Sequence, residues 1–288
     1  MDKLWRLGLI GHPLSHSVSP TLHRAALKTT GLEGDYRLYD RSAVNLSEIV
    51  SELRRGELDG LNVTIPHKER VLAYVDRLEG AALALGAVNT LVRASDGCIE
   101  GHNTDLQGLV DALRERWPNV PWSGSPATVI GAGGAARAAV MAALEVGASE
   151  VRVTNRSAQR AERLADDFQQ LSLERVVARP AEDAFEGSAL VLQASAIGMG
   201  WASTHPQWSD ALEAAALGLA HVSAQAVLFD LVYTPRVTPW ISAARERGLE
   251  SDDGVKMLVA QAAASFRLWT GREPRLEAMH QALLATGS

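Results

Sequence analysis

The sequence contains a single cysteine, Cys98, among 288 residues. One thiol allows no internal disulfide and excludes a cysteine-rich zinc site, and it fits a reducing compartment. No apolar run approaches the roughly 18 residues needed to cross a membrane. The N-terminal segment MDKLWRLGLIG has too short an apolar stretch for a signal peptide and lacks a small-residue cleavage site. We therefore expect a soluble, cytoplasmic protein.

An excess of basic residues is also missing, because 28 lysines and arginines face 34 acidic residues and the net charge is −6. Without a basic stripe, a nucleic-acid partner is not expected. An anionic ligand must then be held by local donors and not by a general positive field. The hydrophobic share of 47% and the charged share of 22% are those of an ordinary globular protein, long enough for one large or two ordinary domains.

Strand and helix patterns alternate along the chain, which predicts an α/β fold with largely parallel sheets. In the first part the patterns predict strands at 4–11, 36–40, 60–65 and 87–93, and helices at 19–30, 44–53 and 67–78, the first of them capped by Ser19. The loop at 117–126, rich in Pro, Gly and Ser, is the best internal boundary. After it we expect strands at 127–131, 151–155, 175–178, 189–195 and 226–233. We also expect three helices: one at 135–145, one that Ser157 caps at its N-terminus, and one that begins near Gly254.

The stretch VIGAGGAARAAV follows a predicted strand and opens a predicted helix. Its pattern is Gly131-x-Gly133-x-x-Ala136, in which the first glycine allows a tight turn and the second allows backbone to approach a pyrophosphate. Backbone N–H groups and the helix dipole favour the anion there. The motif therefore predicts a dinucleotide-binding loop made of residues Gly131, Ala132, Gly133, Gly134, Ala135 and Ala136.

The end of the next strand selects the cofactor. Proteins that bind NAD tend to place Asp or Glu there for the ribose 2′-hydroxyl, whereas this chain has Asn155, Arg156 and Ser157, followed by Arg160. Two guanidinium groups and no carboxylate favour a 2′-phosphate. The sequence therefore predicts NADP, although Arg160 taken alone also fits a solvated charge on a helix face.

Polar residues follow the apolar strands of the first hundred residues. They are the serines of the segment 15–19, the segment from Thr64 to Lys68, the segment 103–105, and Asn89 within an otherwise apolar strand. Buried polar groups need partners from protein or ligand, so a small polyhydroxylated ligand would suit them. The proline at 66 ends its strand just before Lys68. This position suggests that the strand directs the lysine side chain into a cleft.

Seven motifs in this order, HPLSHSVSPTLH, NVTIPHKE, GAVNTLV, GHNTD, GAGGAAR, NRS and the DG, ML and AQAA groups of 253–263, resemble the shikimate dehydrogenase family. The resemblance covers nearly the whole chain. It implies a substrate domain at 1–105 and 255–288, with C-terminal helices returning to it, and a Rossmann-type NADP-binding domain at 106–254. It also implies NADPH-dependent reduction of 3-dehydroshikimate to shikimate, in the synthesis of aromatic amino acids.

By matching position, the resemblance implies that Lys68 and Asp105 form the catalytic pair, although a surface salt bridge stays an alternative. A lysine beside the carbonyl can supply the proton that hydride transfer requires. The resemblance assigns Ser17 and Ser19 to a substrate carboxylate. Further residues are implied near the substrate (Thr64, Asn89, Tyr233, Gln261) and near the nicotinamide (Leu231, Gly254). Taken alone, Ser19 also fits a helix N-cap and Gln261 the boundary of an apolar helix face.

Three positions depart from the family pattern: Leu106 and Lys256 stand where Gly is usual, and Gln193-Ala194-Ser195 replaces Asn-Ala-Thr. Because of these departures, two alternatives stay open. The protein could be a relative that acts on quinate or aminoshikimate, in some cases with NAD, or a non-catalytic NADP-binding protein. A methylene-tetrahydrofolate dehydrogenase would leave the paired serines unexplained. We expect no metal site, because the cluster of His12, His16 and His23 fits no zinc spacing. The protein is expected to be a monomer or a homodimer.

Overall fold

The computed structural model describes residues 3–15, 17–40, 46–119 and 122–285. Their contacts divide them into two compact units. The first unit contains the described residues up to Gly108 together with those from Val259 onward, and the second contains the described residues between Leu109 and Leu258. Each unit has a six-stranded sheet, so the predicted α/β fold is confirmed.

The first unit begins with alternating strands and helices and then adds short antiparallel strands. Its strands are β1 (Trp5–Gly11), β2 (Gly34–Asp40), β3 (Gly60–Val63), β4 (Arg77–Leu78), β5 (Thr90–Arg93) and β6 (Ile99–His102). Its helices are α1 (Ser19–Thr30), α2 (Leu46–Arg54), a 3₁₀ helix (Arg70–Tyr74), α3 (Ala81–Leu85) and the start of α4 (Asp105–Arg116). The sheet order is β2-β1-β3-β5-β6-β4, parallel at β1 with both neighbours and antiparallel at β5 with both of its neighbours.

One core cluster of the first unit lies between helix α2 and the sheet. Helix α2 buries Leu46, Ile49, Val50 and Leu53 at helical spacing. These side chains join Leu61 and Val63 of β3 in the same cluster. Because all four residues of β3 are buried, any polar side chain on this strand has to find its hydrogen-bond partners inside the protein.

The second unit contains β7 (Ala127–Ile130), β8 (Val151–Thr154), β9 (Val176–Ala178), β10 (Leu190–Gln193), β11 (Val227–Asp230) and β12 (Glu250–Asp252). The helices are α5 (Gly134–Glu145), α6 (Ala158–Gln169), α7 (Ala181–Ala184), α8 (Trp208–Leu219) and α9 (Pro239–Glu246). All strand pairs are parallel, in the order β12-β11-β10-β7-β8-β9. This is the 3-2-1-4-5-6 order of Rossmann-type domains, and all residues of β7, β10 and β11 are buried, which is typical of parallel sheets.

Two further helices complete the chain. Helix α10 (Val255–Thr270) starts in the second unit and ends in the first, and α11 (Leu276–Leu284) follows it in the first unit. The return of the C-terminal helices to the first unit agrees with the resemblance. In the described part of the chain, none of the helices has both the length and the apolar character that crossing a membrane requires.

The predicted helix at 67–78 is wrong. Only the 3₁₀ helix forms there, and Arg77–Leu78 becomes strand β4, paired in parallel with β6. The backbone N–H groups of Asp76 and Glu79 donate to carbonyls of Ile99 and Gly101. The apolar spacing of Val71, Val75 and Leu78 is helical, but pairing with β6 places Arg77–Leu78 in a strand.

Other predicted boundaries shift as well. Ser19 is the first residue of α1 and not its N-cap, which is Val18. The Ser19 N–H donates to Ser17 Oγ at 3.4 Å. Ser157 does occupy the N-cap of α6, but its side chain makes no capping bond. The strand predicted at 226–233 ends at Asp230. The described residues of the loop 117–126 lie inside the second unit and do not separate the two units. Val44, the predicted start of α2, lies outside the described residues.

His23 on α1 is buried and stacks on Tyr36 with a ring-centroid distance of 4.2 Å. Burial lowers the pKa of His23 from 6.5 to about 3, and a hydrogen bond with Asn62 offsets part of that effect. The folded protein therefore keeps this imidazole neutral, whereas the unfolded chain protonates it below pH 6.5.

We predict that His23→Phe removes a pH dependence of stability. The stability that depends on a neutral His23 is complete above pH 6.5 and decreases as the pH falls toward 3. Between pH 7.5 and pH 5 the wild-type protein should lose about 2 kcal/mol of unfolding free energy relative to the variant. Urea denaturation of both proteins at the two pH values measures the difference. Parallel pH profiles would contradict a neutral, buried His23.

Candidate active site

The sheet of the first unit brings four chain segments to one edge. Ile10 on β1 is paired with Val63 on β3, Asn62 with Thr90 at the start of β5, and Thr90 with His102 at the end of β6. The residues after β1, after β3, before β5 and after β6 therefore leave the sheet at the same edge. These are the segments in which the sequence places its polar clusters.

Lys68 and Asp105 meet at this edge. Lys68 Nζ lies 2.6 Å from Asp105 Oδ2, and the two side chains are only 14% and 6% exposed. The Val88 N–H donates to the Lys68 carbonyl at 2.8 Å, which ties the segment after β3 to the segment before β5. Asp105 is the first residue of α4, where the helix dipole favours a carboxylate.

Asn89 connects this ion pair to the surrounding protein. Its Nδ2 donates to Asp105 Oδ1 at 2.8 Å and to Thr104 Oγ1 at 2.9 Å, and lies 3.4 Å from Gln261 Oε1. Its Oδ1 accepts from the Thr104 N–H at 2.9 Å. The two oxygens of Asp105 thus have different partners, Lys68 on one side and Asn89 on the other. The structure brings together Lys68, Asn89, Asp105 and Gln261.

The two predicted serines lie beside each other at the start of α1. Ser17 Oγ and Ser19 Oγ are 3.3 Å apart, and the Ser17 N–H donates to the Leu14 carbonyl at 3.0 Å. Thr64 directly follows β3, and its N–H donates to the Ile10 carbonyl of β1 at 2.9 Å. Thr64 is therefore held at the same sheet edge as the ion pair.

Sequence reasoning missed the buried polar residues behind this edge. They are Asn62, Thr90 and Ser265, all 6% exposed or less, and Thr104 of the predicted polar segment 103–105 is buried with them. The alternation of Asn62 with Leu61 and Val63 indicates a half-buried strand, but all four residues of β3 are buried. The sequence does contain a signal for them. Asn62 lies near the end of a short apolar strand, Thr90 lies at the start of the next strand of the sheet, and Ser265 lies one helical turn after Gln261.

The glycine-rich loop lies in the second unit between β7 and α5. Gly131 has φ of +121°, and a Cβ there would lie 3.0 Å from the Ala194 backbone, so a side chain is excluded on both grounds. A Cβ on Gly133, the N-cap of α5, would approach only Arg160 Nη2, at 3.9 Å. Ala136 is buried, and the loop leaves N–H groups of the first turn of α5 available to an anion.

The residues after β8 lie beside this loop. The Gly131 N–H donates to the Thr154 carbonyl at 2.8 Å, and Arg160 Nη2 donates to the Ala132 carbonyl at 3.2 Å. Arg160 is exposed, and this bond holds its guanidinium beside the loop. Asn155 Nδ2 donates to the Ser157 carbonyl at 3.1 Å, and Arg156 is exposed.

Leu231 and Gly254 approach each other closely in the second unit. A Cβ on Gly254 would lie 2.3 Å from the Leu231 carbonyl oxygen, so only glycine fits there. Tyr233 lies two residues after Leu231, beyond the end of β11, and desolvation raises the pKa of its phenol. The tyrosine therefore stays neutral at physiological pH.

The three departures from the family pattern have different surroundings. Gln193 is buried, accepts from the Ser195 N–H at 2.6 Å and donates to the Ile197 carbonyl at 3.1 Å. Lys256 Nζ forms an exposed ion pair with Glu115 at 2.6 Å. The Leu106 N–H lies 3.4 Å from Asn103 Oδ1 at the start of α4.

Asp230 at the end of β11 is a further buried carboxylate that the sequence reasoning did not single out. It accepts from Thr238 Oγ1 at 2.6 Å and from the Val232 N–H at 2.9 Å. Burial raises its pKa to about 7, and these two hydrogen bonds offset part of that effect. The carboxyl group joins the ends of β11 and the start of α9.

The histidines considered for a metal site have other surroundings. His12 Nδ1 lies 2.6 Å from Asp40 Oδ1, a carboxylate that the sequence neighbourhood did not reveal. His23 is buried against Tyr36, and His16 lies outside the described residues. Within the ranges that the structure describes, no three His, Cys, Asp or Glu side chains are grouped as metal ligands.

Family models cover most of this architecture. Residues 9–91 match the shikimate dehydrogenase substrate binding domain, and residues 116–197 match the family described as shikimate / quinate 5-dehydrogenase. Residues 254–284 match the shikimate 5'-dehydrogenase C-terminal domain. The matched segments include the ion-pair residue Lys68, the glycine-rich loop and Gln261.

Whole-chain relatives agree with these matches. The NADP(+) shikimate dehydrogenase of Bacillus subtilis is 35% identical over 99% of this chain and 97% of that protein, and that of Paramagnetospirillum magneticum is 40% identical over 93% and 94%. The structure of Thermus thermophilus shikimate 5-dehydrogenase with NADP(H) and shikimate shares 37% identity and a TM-score of 0.81, over 98% and 99% of the two chains. Corynebacterium glutamicum quinate dehydrogenase with NAD shares 32% identity and a TM-score of 0.84 over the same shares. The chain belongs to the shikimate dehydrogenase family.

Proposed function

We propose that this protein catalyses the reversible NADP-dependent oxidation of shikimate to 3-dehydroshikimate. The observation that carries the proposal is the buried ion pair between Lys68 and Asp105, held by Asn89 at the edge of the first sheet. A surface salt bridge would be exposed and weakly populated, whereas this pair is shielded and has a fixed geometry. The first unit is then the substrate domain and the second the nucleotide domain.

The residues of the second unit fit NADP. The Gly133 backbone can be approached without a side chain in the way, and Gly131 keeps the turn tight against β10. The first-turn N–H groups of α5 would bind the pyrophosphate. Arg156 and Arg160 would bind the 2′-phosphate, and no carboxylate stands at 155–157 to repel it. Leu231 and Gly254 would lie near the nicotinamide.

NADP, when bound, supplies the acceptor or donor of the hydride. Lys68 moves the proton: in the reductive direction its ammonium donates to the carbonyl oxygen of 3-dehydroshikimate, and in the oxidative direction the amine takes the proton from the hydroxyl. Asp105 holds the ammonium in place through Oδ2, and Asn89 holds Asp105 through Oδ1. The charge that develops on the substrate oxygen is stabilised by the same ammonium.

The remaining polar side chains of the first unit would bind the substrate. Ser17 and Ser19 present adjacent hydroxyls that suit a carboxylate, which an acidic protein must bind through local donors. Thr64, Asn89 and Gln261 would bind the ring hydroxyls, and Tyr233 of the second unit would contribute its neutral phenol. A quinate preference is the second candidate, because the fold matches a quinate dehydrogenase with NAD as well.

Absorbance at 340 nm in a panel of shikimate and quinate against NADP⁺ and NAD⁺ tests the proposal. We expect the highest kcat/KM with shikimate and NADP⁺. Turnover only with quinate and NAD⁺ would assign the chain to the quinate branch. Tight NADP binding without turnover of either acid would make it a non-catalytic relative.

We predict that Lys68→Met lowers kcat about 10²–10⁴-fold, the contribution typical of a positioned acid or base. The KM for NADP⁺ should stay within about twofold, because Lys68 lies in the other unit from the glycine-rich loop. Steady-state kinetics of shikimate oxidation measure both, with circular dichroism to verify folding.

Lys3→Met is the matched control, because Lys3 also pairs with a carboxylate of the first unit, Asp59 at 3.1 Å, but is 56% exposed. It should leave kcat unchanged. Equal losses in the two variants would show that the Lys68 effect is not catalytic.

We predict that Arg156→Ala raises the KM for NADP⁺ about tenfold or more, since one charge-assisted contact with the 2′-phosphate is lost, and leaves the KM for NAD⁺ nearly unchanged. Arg163→Ala provides the control, because Arg163 is an exposed arginine on α6 whose guanidinium donates to the carbonyl of Gln159 on the same helix. Equal effects of Arg156→Ala on the two nucleotides would refute the assignment of the 2′-phosphate.

A further inference from the structure

The orientation of the Asn89 amide is fixed by backbone groups. A backbone N–H can only donate, so the group facing the Thr104 N–H at 2.9 Å must be Asn89 Oδ1. The Nδ2 group then faces Asp105 Oδ1 at 2.8 Å. If the amide were reversed, two oxygens would oppose each other at Asp105, and the carboxylate would lose its donor.

The hydrogen-bond partners of Asn62, which lies behind Asn89, fix the orientation of its side-chain amide in the same way. A backbone carbonyl can only accept, and the Asn89 carbonyl lies 3.1 Å from Asn62 Nδ2. Asn62 Oδ1 therefore points the other way, where it accepts from the Tyr36 hydroxyl at 2.8 Å. The two amide protons of Asn62 are thus shared among three acceptors, the Asn89 carbonyl, Thr90 Oγ1 and Ser265 Oγ.

The hydroxyls of Thr90 and Ser265 lie between these two amides. Thr90 Oγ1 accepts from Asn62 Nδ2 at 3.1 Å, so its own proton is free for Asn89 Oδ1 at 2.9 Å. Ser265 Oγ accepts from Asn62 Nδ2 at 3.0 Å, and its single proton is shared between Thr90 Oγ1 at 2.7 Å and the Gln261 carbonyl at 3.0 Å. Both hydroxyls are fully buried, so no water can replace them.

We propose that Thr90 and Ser265 are positioning residues for the Lys68–Asp105 pair. Their hydroxyls connect the fixed Asn62 amide to the Asn89 amide, and so hold Asn89 Nδ2 on Asp105 Oδ1 and leave Asp105 Oδ2 to Lys68. Ser265 also joins this network to α10, one turn after Gln261, whose side chain faces the same Asn89 amide. For its kinetic consequence the inference rests on the proposed function, whereas its structural consequence can be measured without substrate.

Thr90 offers a matched pair of variants. Thr90→Val keeps the shape of the side chain and removes the hydroxyl, whereas Thr90→Ser keeps the hydroxyl and removes a methyl group. Loss of the hydroxyl removes one of the three acceptors of Asn62 Nδ2 and leaves Asn89 Oδ1 with the donors of Thr104 alone. The Val variant should therefore loosen the Asn89 amide, and the Ser variant should not.

The substrate-free experiment follows the side-chain amide protons of Asn89 by NMR in protein labelled with ¹⁵N-asparagine. The chain has six asparagines, and Asn89→Asp identifies the resonance pair. We expect hydrogen exchange of this pair to be about tenfold faster or more in Thr90→Val and close to wild type in Thr90→Ser. Wild-type exchange in Thr90→Val would overturn the proposal.

The kinetic experiment uses the same variants with shikimate and NADP⁺. Thr90→Val should lower kcat/KM for shikimate about tenfold or more and leave the KM for NADP⁺ within about twofold, with recovery in Thr90→Ser. Equal losses in both variants would show that packing of the methyl group matters and not the hydroxyl, and would overturn the proposal.

Ser265→Ala decides the question if Thr90→Val does not fold. It should accelerate Asn89 amide exchange in the same direction, and unchanged exchange would count against the proposal. If the wild-type enzyme turns over neither shikimate nor quinate, the proposed function fails, and the exchange data alone decide whether the two hydroxyls position Asn89.

Discussion

The hydrogen bond from Asn89 Nδ2 to Asp105 Oδ1 is the interaction on which the geometry of the candidate active site depends. Lys68 and Asp105 are nearly buried, and a buried charge is tolerated only when its remaining lone pairs and protons also find partners. Asn89 supplies the second partner of the carboxylate. The ammonium therefore has one defined position, at the edge where the first sheet presents its polar side chains.

The mixed topology of the first sheet makes this arrangement possible. In a purely parallel sheet a residue that precedes a strand lies at the opposite edge from residues that follow one. Because β5 runs antiparallel to β3 and β6, Asn89 before β5 lies beside Thr64 after β3 and Asp105 after β6. The second unit has no such reversal among its paired strands and instead uses a glycine turn and a helix N-terminus after β7, as parallel dinucleotide-binding sheets do.

Prediction from the sequence worked where a pattern has a single physical meaning. The glycine spacing between a buried strand and a helix has one, and the structure confirms that arrangement of strand, turn and helix. The prediction for the segment 67–78 failed, because its apolar spacing favours a helix, whereas backbone hydrogen bonds to Ile99 and Gly101 place Arg77–Leu78 in a strand. Helices α4, α8 and α9 were not predicted, although α4 and α8 are as long as the predicted α1, α5 and α6; tertiary packing contributes much of the stability of a helix in a protein.

The sequence by itself determined the family, the α/β class, the nucleotide loop and the identity of the candidate residues, since these depend on local spacing and on motif order. Only the tertiary structure decided that Lys68 and Asp105 form a buried pair and that Asn62, Thr90 and Ser265 stand behind Asn89. The reason is that Ser265 lies 175 residues from Thr90 along the chain. No local pattern encodes a contact of that kind, because burial and hydrogen-bond partners are set only when the sheet and helix α10 pack together.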